Sequence, residues 1–305
     1  MAKLVALIRL GRPKQWVKNI FVFAALIFAG RVADAGAVLH AALAFVSFCL
    51  AASSIYFLND FRDVEEDRRH PTKRERPLAS GLLPVHVGPL GAAVCAAGSL
   101  ALAWFAVNET TALVVLAYMV LNIAYSLGLK NLVIIDVLLI AAGFVLRILA
   151  GAAAIAVMPS TWLVLCAVTI SLFLGFTKRR AEVVLLGERA REHRRVLAHY
   201  STAFLDQMIS IVTAATVVSY ALYTVDDRTV VLVGSRLLLF SVPFVLYGIF
   251  RYLYLVYHGS SGGDPTRTVL TDIPMLVNGA LWAALCTAVI LFGDEIWLAL
   301  REVTG

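Results

Sequence analysis

Long apolar runs, separated by short polar segments, recur along the whole chain. A helix needs about 20 apolar residues to cross the hydrocarbon core of a bilayer. Nine runs approach or exceed that length, and the first and sixth are the shortest: residues 16–30, 38–58, 85–107, 110–128, 133–156, 161–177, 204–224, 236–257 and 274–299. Because a backbone in lipid must satisfy its own hydrogen bonds, only helices or closed barrels span a membrane. We therefore predict an all-α integral membrane protein, with nine transmembrane helices in one domain over residues 1–305.

The composition agrees with a membrane location. Apolar residues make up 61% of the chain and charged residues 15%, and the mean hydropathy is +0.85. These values exclude an ordinary soluble domain. The formal net charge is +6, and the excess lies in the polar loops. We expect it to face the anionic lipids of the bilayer or polyphosphate groups, and we expect no nucleic acid partner.

Lysine and arginine are distributed unequally between alternate loops. One set of loops contains only Arg31, Arg228, Arg236 and Arg301, and Arg147 lies inside an apolar run. The rest of the 26 basic residues fall in the set that includes the N-terminal segment. Positive charge favours the cytoplasmic side of a membrane. The pattern predicts a multi-pass protein of the inner (plasma) membrane, with its N-terminus in the cytoplasm and its C-terminus outside.

An acidic segment directly follows the second apolar run. Read as a helix that continues out of the membrane, Asn59, Asp60, Asp63 and Asp67 are three or four residues apart and share one face. Carboxylates stacked on one helix face repel each other, so they do not stabilise a helix by themselves. Their oxygen atoms are, however, the ligands that Mg²⁺ prefers. We predict that these four residues bind Mg²⁺ and that the three aspartates are catalytic. The alternative is a solvated acidic loop.

Basic and polar residues flank this acidic segment on the same predicted side. Lys73 and Arg76 follow it, and Arg76 offers a planar fork to phosphate oxygens, although both are also compatible with ordinary inner-loop charge. Lys18 and Asn19 lie just inside the first apolar run. They are candidates for binding a lipid-borne phosphate near the cytoplasmic surface. The alternative for this segment is an interfacial anchor, since Trp and Lys are common at headgroup level.

The pattern NDxxDxxxD followed by RPLxSG resembles the first aspartate-rich motif of the UbiA prenyltransferase superfamily. The resemblance extends over nearly the whole chain and implies a UbiA-type helical bundle whose active site is at the cytoplasmic side. Most aromatic prenyltransferases of the superfamily have a second aspartate-rich motif at the end of the sixth run. Here that position reads KRRAE, at residues 178–182, which offers positive charge to an additional phosphate.

Four further motifs, RPKQWVKN, YSxxLK, GFVLRxxAG and KRRAE, resemble the superfamily branch that transfers phosphoribosyl groups to polyprenyl phosphates. This resemblance implies that phosphoribosyl diphosphate (PRPP) is the donor, that decaprenyl or another polyprenyl phosphate is the acceptor and that Mg²⁺ is the cofactor. It also implies a product that supplies cell-wall arabinan. The substrate-binding candidates in the central part of the chain are Tyr125, Lys130, Asp136, Lys178, Arg179, Arg180 and Glu182.

Several alternatives stay open at this point. Asp136 lies in the first turn of a predicted helix, where a carboxylate also suits the helix dipole. Arg147 lies deep in a span and needs a partner or water, which a structural role would also explain. For the whole protein, the alternatives are a prenyltransferase that joins a prenyl diphosphate to an aromatic quinone precursor, and a lipid-phosphate transporter. The sequence leaves open whether copies of the chain form a homo-oligomer.

Overall fold

The structure is a computed structural model that describes residues 2–187, 195–258 and 271–304. All regular secondary structure in these ranges is helical. The α-helices, numbered α1 to α12, are Ala2–Leu10, Ala24–Phe28, Ala35–Arg62, Val64–Arg69, Val87–Ala106, Glu109–Leu127, Ile135–Ala154, Thr161–Leu186, Thr202–Val225, Asp227–Val233, Val242–His258 and Ile273–Thr304. The 3₁₀ helices cover Pro13–Phe23, Lys73–Glu75, Leu129–Asn131, Arg195–His199 and Leu237–Ser241.

Eight helices in these ranges are long and apolar enough to cross a membrane. They correspond to the second to ninth predicted spans. The first predicted span, residues 16–30, differs, because it forms the long 3₁₀ helix Pro13–Phe23 followed by α2. Runs of 3₁₀ helix longer than three or four residues are uncommon. The length of an apolar run predicts that the segment enters the membrane. It does not distinguish a 3₁₀ helix, which is longer per residue, from an α-helix.

The described chain divides into two compact units. The first unit contains residues 1–129 and 143–159, and the second contains residues 130–142 and 160–305. Helix α7 therefore begins in the second unit and ends in the first. Each unit has its own apolar core.

In the first unit, α3 packs along α5 through small side chains. Ser47 and Ser99 are both fully buried, and each donates its hydroxyl hydrogen to the other's carbonyl oxygen, at 2.9 and 2.7 Å. Small residues let helix backbones approach closely, and the hydroxyl-to-carbonyl hydrogen bonds satisfy both serine side chains where water is absent. This close packing fixes α3, which carries the acidic segment at its end.

Another close approach in the first unit joins α7 to the 3₁₀ helix Pro13–Phe23. A Cβ atom built on Gly151 would lie 1.8 Å from the carbonyl oxygen of Val22. No flexible side chain could relieve that clash, because the contacted atom belongs to the backbone. Gly151 is therefore required for this packing.

We expect Gly151→Ala to destabilise the protein by about 3 kcal/mol or more, since overpacking of this kind forces the backbones apart. Gly279→Ala is the matched control, because Gly279 also lies within a long helix and a Cβ there would meet nothing within 4 Å. Unfolding of both variants in detergent micelles by a denaturing surfactant would measure the difference. Equal stability of the two variants would show that the backbone contact is absent.

In the second unit, α8 and α9 pack against each other and against α11. The core contains Phe173 and Phe176 from α8, Leu205 and Ile209 from α9, and Tyr252 from α11. All five are buried. This core fixes the end of α8, which carries the KRRAE segment.

Candidate functional site

The acidic segment lies at the end of α3 in the first unit. The predicted continuous helix is interrupted, because α3 ends just before Asp63 and α4 begins just after it. The N–H of Asp63 nevertheless donates to the carbonyl of Asn59 at 2.9 Å, and the N–H of Asp67 donates to the carbonyl of Asp63 at 2.8 Å. Helical spacing is thus kept across the junction. Asp60 and Asp67 are buried, at 3% and 2% exposed, whereas Asn59 and Asp63 are half-buried.

Two arginines neutralise the buried carboxylates. Arg76 Nη1 donates to Asp60 Oδ1 at 3.2 Å and to Asp67 Oδ2 at 2.6 Å. Arg12 Nη2 donates to the same Asp60 oxygen at 2.5 Å. Arg76 was predicted from the sequence as a phosphate clamp. Arg12 was not predicted, because it is distant in the chain and carries no sequence signal beyond its place in RPKQWVKN. Because one nitrogen of Arg76 contacts both carboxylates, their oxygens lie within reach of a single cation.

The chemistry of this set is compatible with Mg²⁺. The described residues contain no group of three or more His, Cys, Asp and Glu side chains arranged to hold a metal. Mg²⁺, however, is usually bound through one or two carboxylates, with water and substrate phosphate completing its shell. Asp60 and Asp67 already share one cationic nitrogen. In the described part of the chain, the side chains of Asn59 and Asp63 make no hydrogen bond or ion pair, so their oxygens can serve as further ligands.

The loop that carries Arg76 is anchored by its apolar residues. Leu78 is fully buried and belongs to a small core with Ala6 and Leu10 of α1. Lys73 begins the short 3₁₀ helix of this loop and is half-buried. The anchor holds Arg76 against the acidic segment, so the RPLxSG motif positions a cation.

Arg147 lies in the interior of the first unit and is 8% exposed. It donates to Asn19 Oδ1 at 2.7 Å, to the Gly143 carbonyl at 2.7 Å and to the Tyr118 hydroxyl at 3.0 Å. Its guanidinium also lies 4.7 Å from the centre of the Tyr118 ring. Within the described ranges its hydrogen-bond partners are all neutral. The sequence analysis anticipated that this arginine needs a partner, and the partners are amide, carbonyl and aromatic groups.

The two N-terminal candidates occupy different environments. Asn19 is fully buried, and its amide accepts from Arg147 and donates to the Cys49 sulfur at 3.3 Å. Lys18 is half-buried. Asn19 is closed off from solvent, whereas part of the surface of Lys18 is open to solvent. On accessibility, Lys18 is therefore the stronger phosphate-binding candidate of the two.

A buried ion pair joins α7 and α8 in the second unit. Arg179 and Asp136 are 2% and 0% exposed. Arg179 Nε donates to Asp136 Oδ2 at 2.7 Å, and Arg179 Nη1 donates to Glu182 Oε2 at 2.6 Å. Tyr200 donates its hydroxyl hydrogen to the second oxygen of Asp136 at 2.7 Å. Tyr200 was not predicted, because nothing in the sequence marks it as a neighbour of Asp136.

The environment of Tyr200 keeps its hydroxyl protonated. Burial, together with the hydrogen bond to Asp136, raises the pKa of Tyr200. The same hydroxyl accepts from the N–H of Ile134 at 2.7 Å. Ile134 has φ 70°, a left-handed conformation that is strained for a β-branched residue. The start of α7 is thus fixed by contacts around one carboxylate.

Arg180 has a carboxylate partner that the sequence did not indicate. Its Nε donates to Asp206 Oδ1 at 2.5 Å, and its guanidinium lies 3.7 Å from the centre of the Tyr257 ring. Tyr257 also donates to Asp206 at 2.5 Å. Lys178 is 4.0 Å from Glu182, and its side chain is 43% exposed. All three cations of KRRAE therefore face carboxylates, and Lys178 has the longest and most exposed of these contacts.

The remaining two candidates lie near the end of α6. Tyr125 is in its last turn, and Lys130 is in the 3₁₀ helix Leu129–Asn131 that follows. Both are half-buried. Tyr125 belongs to the first unit and Lys130 to the second.

The sequence of this chain is similar to sequences of enzymes of known activity. The chain is 38% identical to the decaprenyl-phosphate phosphoribosyltransferase of Corynebacterium glutamicum, over 89% of this chain and 82% of that protein. It is 35% identical to the protein of the same name from Mycolicibacterium smegmatis, over 94% and 92% of the two chains.

A solved structure has a similar fold. A UbiA homologue from Archaeoglobus fulgidus, described as bound to GPP and Mg²⁺, aligns with a TM-score of 0.69 at 21% identity, covering 93% of this chain and 99% of that chain. At this identity the likeness concerns the fold alone. Residues 19–270 match the description "UbiA prenyltransferase family", and the chain therefore belongs to the UbiA prenyltransferase family.

Proposed function

We propose that this protein transfers the 5-phosphoribosyl group of PRPP to decaprenyl phosphate and releases diphosphate. The observation that carries this proposal is the identity with two decaprenyl-phosphate phosphoribosyltransferases over most of their length. In the reaction, the bond between ribose C1 and the diphosphate oxygen breaks. A bond from the acceptor phosphate oxygen to C1 forms, giving polyprenylphosphoryl-5-phosphoribose, which would serve as a precursor for cell-wall arabinan.

No general base is needed for this transfer, since the acceptor phosphate is already anionic. The chemical demand is to position two anions and to stabilise a departing diphosphate. Mg²⁺, when bound, would neutralise charge on that diphosphate. Asp60 and Asp67 would hold the metal, with Asn59 and Asp63 as additional ligands. Arg76, anchored by its loop, would remain beside the metal and the leaving group.

In the second unit, we assign the donor phosphates first to Lys178. Its long contact with Glu182 and its exposure leave its ammonium the least committed of the three KRRAE cations. Arg180, two residues further along α8, is partly exposed and is the second candidate. Arg179 and Asp136 are proposed to position this end of α8, since both are buried and bonded to each other. Tyr125 and Lys130 remain donor candidates, and Lys18 is assigned to the acceptor phosphate.

For the topology, we propose nine membrane passes with the site at the cytoplasmic side. Eleven residues of 3₁₀ helix extend about 22 Å, and the five residues of α2 add about 8 Å. Together they match the hydrocarbon thickness of about 30 Å, so the segment of residues 13–28 is long enough to be the first pass. An odd number of passes would put the two termini on opposite sides of the membrane, and the distribution of basic residues favours the N-terminus in the cytoplasm and the C-terminus outside.

A direct assay separates this function from an aromatic prenyltransferase. Purified protein in detergent with Mg²⁺ would receive decaprenyl phosphate and radiolabelled PRPP, or a labelled prenyl diphosphate with 4-hydroxybenzoate. We expect label from PRPP to enter the lipid phase and to stay in water when a chelator is present. Prenylation of the aromatic acid, with no transfer from PRPP, would replace the proposal by the prenyltransferase function. Lipid movement across vesicles without release of diphosphate would indicate a transporter.

A further inference from the structure

Arg12 is held in a strained turn that directs it at the acidic segment. The residue has φ 51° and ψ 57°, a left-handed conformation that L-residues rarely adopt. The turn is fixed to α3, because Ser53 donates to the Gly11 carbonyl at 2.9 Å and the Trp16 indole donates to the Ser53 hydroxyl at 3.1 Å. The Arg12 guanidinium lies 4.8 Å from the centre of the Tyr56 ring and reaches Asp60.

Asp60 thereby carries two guanidinium groups on one oxygen. Arg12 contacts Asp60 Oδ1 at 2.5 Å, and Arg76 contacts the same atom at 3.2 Å. A magnesium ion that bound this oxygen directly would sit at about 2.0–2.1 Å. A guanidinium at hydrogen-bond distance from the same oxygen competes with the magnesium ion for the negative charge of Asp60. A metal bound to this oxygen would therefore compete with both arginines for its charge, and release of one arginine would favour metal binding.

The contacts indicate which arginine moves. Arg76 is bonded to two carboxylates, because it also contacts Asp67 at 2.6 Å, and its loop is anchored by a buried leucine. Among the described residues, Arg12 has a single carboxylate partner. Arg76 can give up its 3.2 Å contact with Asp60 and still pair with Asp67, whereas Arg12, once released from Asp60, is left to find another anion. A guanidinium released next to a metal-bound diphosphate would find phosphate oxygens that match its planar fork.

We propose that Arg12 is an exchangeable counterion, which neutralises Asp60 while no metal is bound and transfers to the diphosphate of the metal-bound donor. This inference rests on the proposed function, because it takes PRPP as the donor. It makes Arg12 both a competitor of free Mg²⁺ and a ligand of the Mg²⁺–PRPP complex. These two roles have opposite effects on affinity when the arginine is removed.

Isothermal titration calorimetry of the full-length protein in detergent tests both roles. For Arg12→Gln we expect Mg²⁺ alone to bind about threefold to tenfold more tightly, and PRPP in the presence of Mg²⁺ to bind about tenfold or more weakly. Arg31→Gln is the matched control, because Arg31 pairs with Asp34 at the opposite end of α3. It should change neither affinity by more than about twofold.

The outcomes separate the inference from the proposed function. If Arg12 is only structural, both affinities fall together or neither changes, and the inference is overturned while PRPP binding by the wild type stands. If the wild type takes up a prenyl diphosphate and no PRPP, the proposed function fails and the inference fails with it. Arg12→Lys covers the case in which Arg12→Gln does not fold. It keeps the charge and loses the fork, so Mg²⁺ affinity should stay within about twofold while PRPP affinity falls about threefold or more.

Discussion

Asp60→Asn is expected to reduce Mg²⁺-dependent phosphoribosyl transfer by about 1,000-fold or more while the protein stays folded. The substitution keeps the size of the side chain and removes the charge shared by Arg12, Arg76 and the proposed metal. Losing a metal ligand together with its charge at a developing anion removes a large part of the stabilisation of the transition state. Transfer of label from PRPP to lipid, with and without chelator, measures the effect.

The control for this prediction lies on the same helix. Asp34 caps the start of α3, accepts from the N–H of Ala37 at 3.0 Å and pairs with Arg31. Asparagine is also a good N-cap residue, so Asp34→Asn removes an aspartate–arginine pair and keeps the cap. We expect it to leave transfer within about twofold of the wild type. An equal loss of activity in the two variants would show that helix stability, and not metal binding, is responsible.

Asp63 offers a second way to separate metal binding from charge balance. Its carboxylate makes no ion pair in the described ranges, so Asp63→Asn breaks none there. A loss of Mg²⁺-dependent activity with unchanged thermal stability would therefore support a ligand role for Asp63. Full activity would remove Asp63 from the metal site and leave Asp60 and Asp67 as the protein ligands.

The acidic segment illustrates what the sequence can predict about a membrane site. The spacing of Asp60 and Asp67 after an apolar run indicated a cation site. The structure buries both carboxylates around one shared cation, Arg76. The two residues are brought together because they are close in the chain and helical periodicity places them on one face, and the metal site itself stays a prediction. The contact of Arg12 with Asp60 was not predictable, since Arg12 approaches from a turn 48 residues away.

The KRRAE segment illustrates the opposite case. Its three cationic residues predicted a phosphate site, because few carboxylates lie near them in the sequence. In the structure they face Asp136, Glu182 and Asp206, of which two come from other helices. No local pattern predicts a partner that tertiary packing supplies from a distant helix. The number of basic residues in one segment therefore overestimates the positive charge that remains available to bind a substrate.

The pair of Arg179 and Asp136 leads to the second large effect. Both side chains are almost fully excluded from solvent, and removing one member leaves a buried charge without its partner. Such changes typically cost about 3–5 kcal/mol. We therefore expect Arg179→Met and Asp136→Asn each to lower the free energy of unfolding by about that amount. We expect the double variant to lose less than the two single losses combined, by about 0.5–3 kcal/mol.

Arg180→Met is the matched control, because it removes a neighbouring arginine whose pair with Asp206 is partly exposed. Pairs of that kind contribute up to about 1 kcal/mol.

Surfactant-induced unfolding measures the stability of each variant, and the KM for PRPP measures the effect on substrate binding. If Arg179 were instead a phosphate ligand, Arg179→Met would raise that KM and unfold at the same surfactant concentration as Arg180→Met. A large loss of stability, with a normal KM for PRPP in the fraction that remains folded, would identify Arg179 as the residue that positions α8. The donor phosphates would then be left to Lys178 and its exposed neighbours.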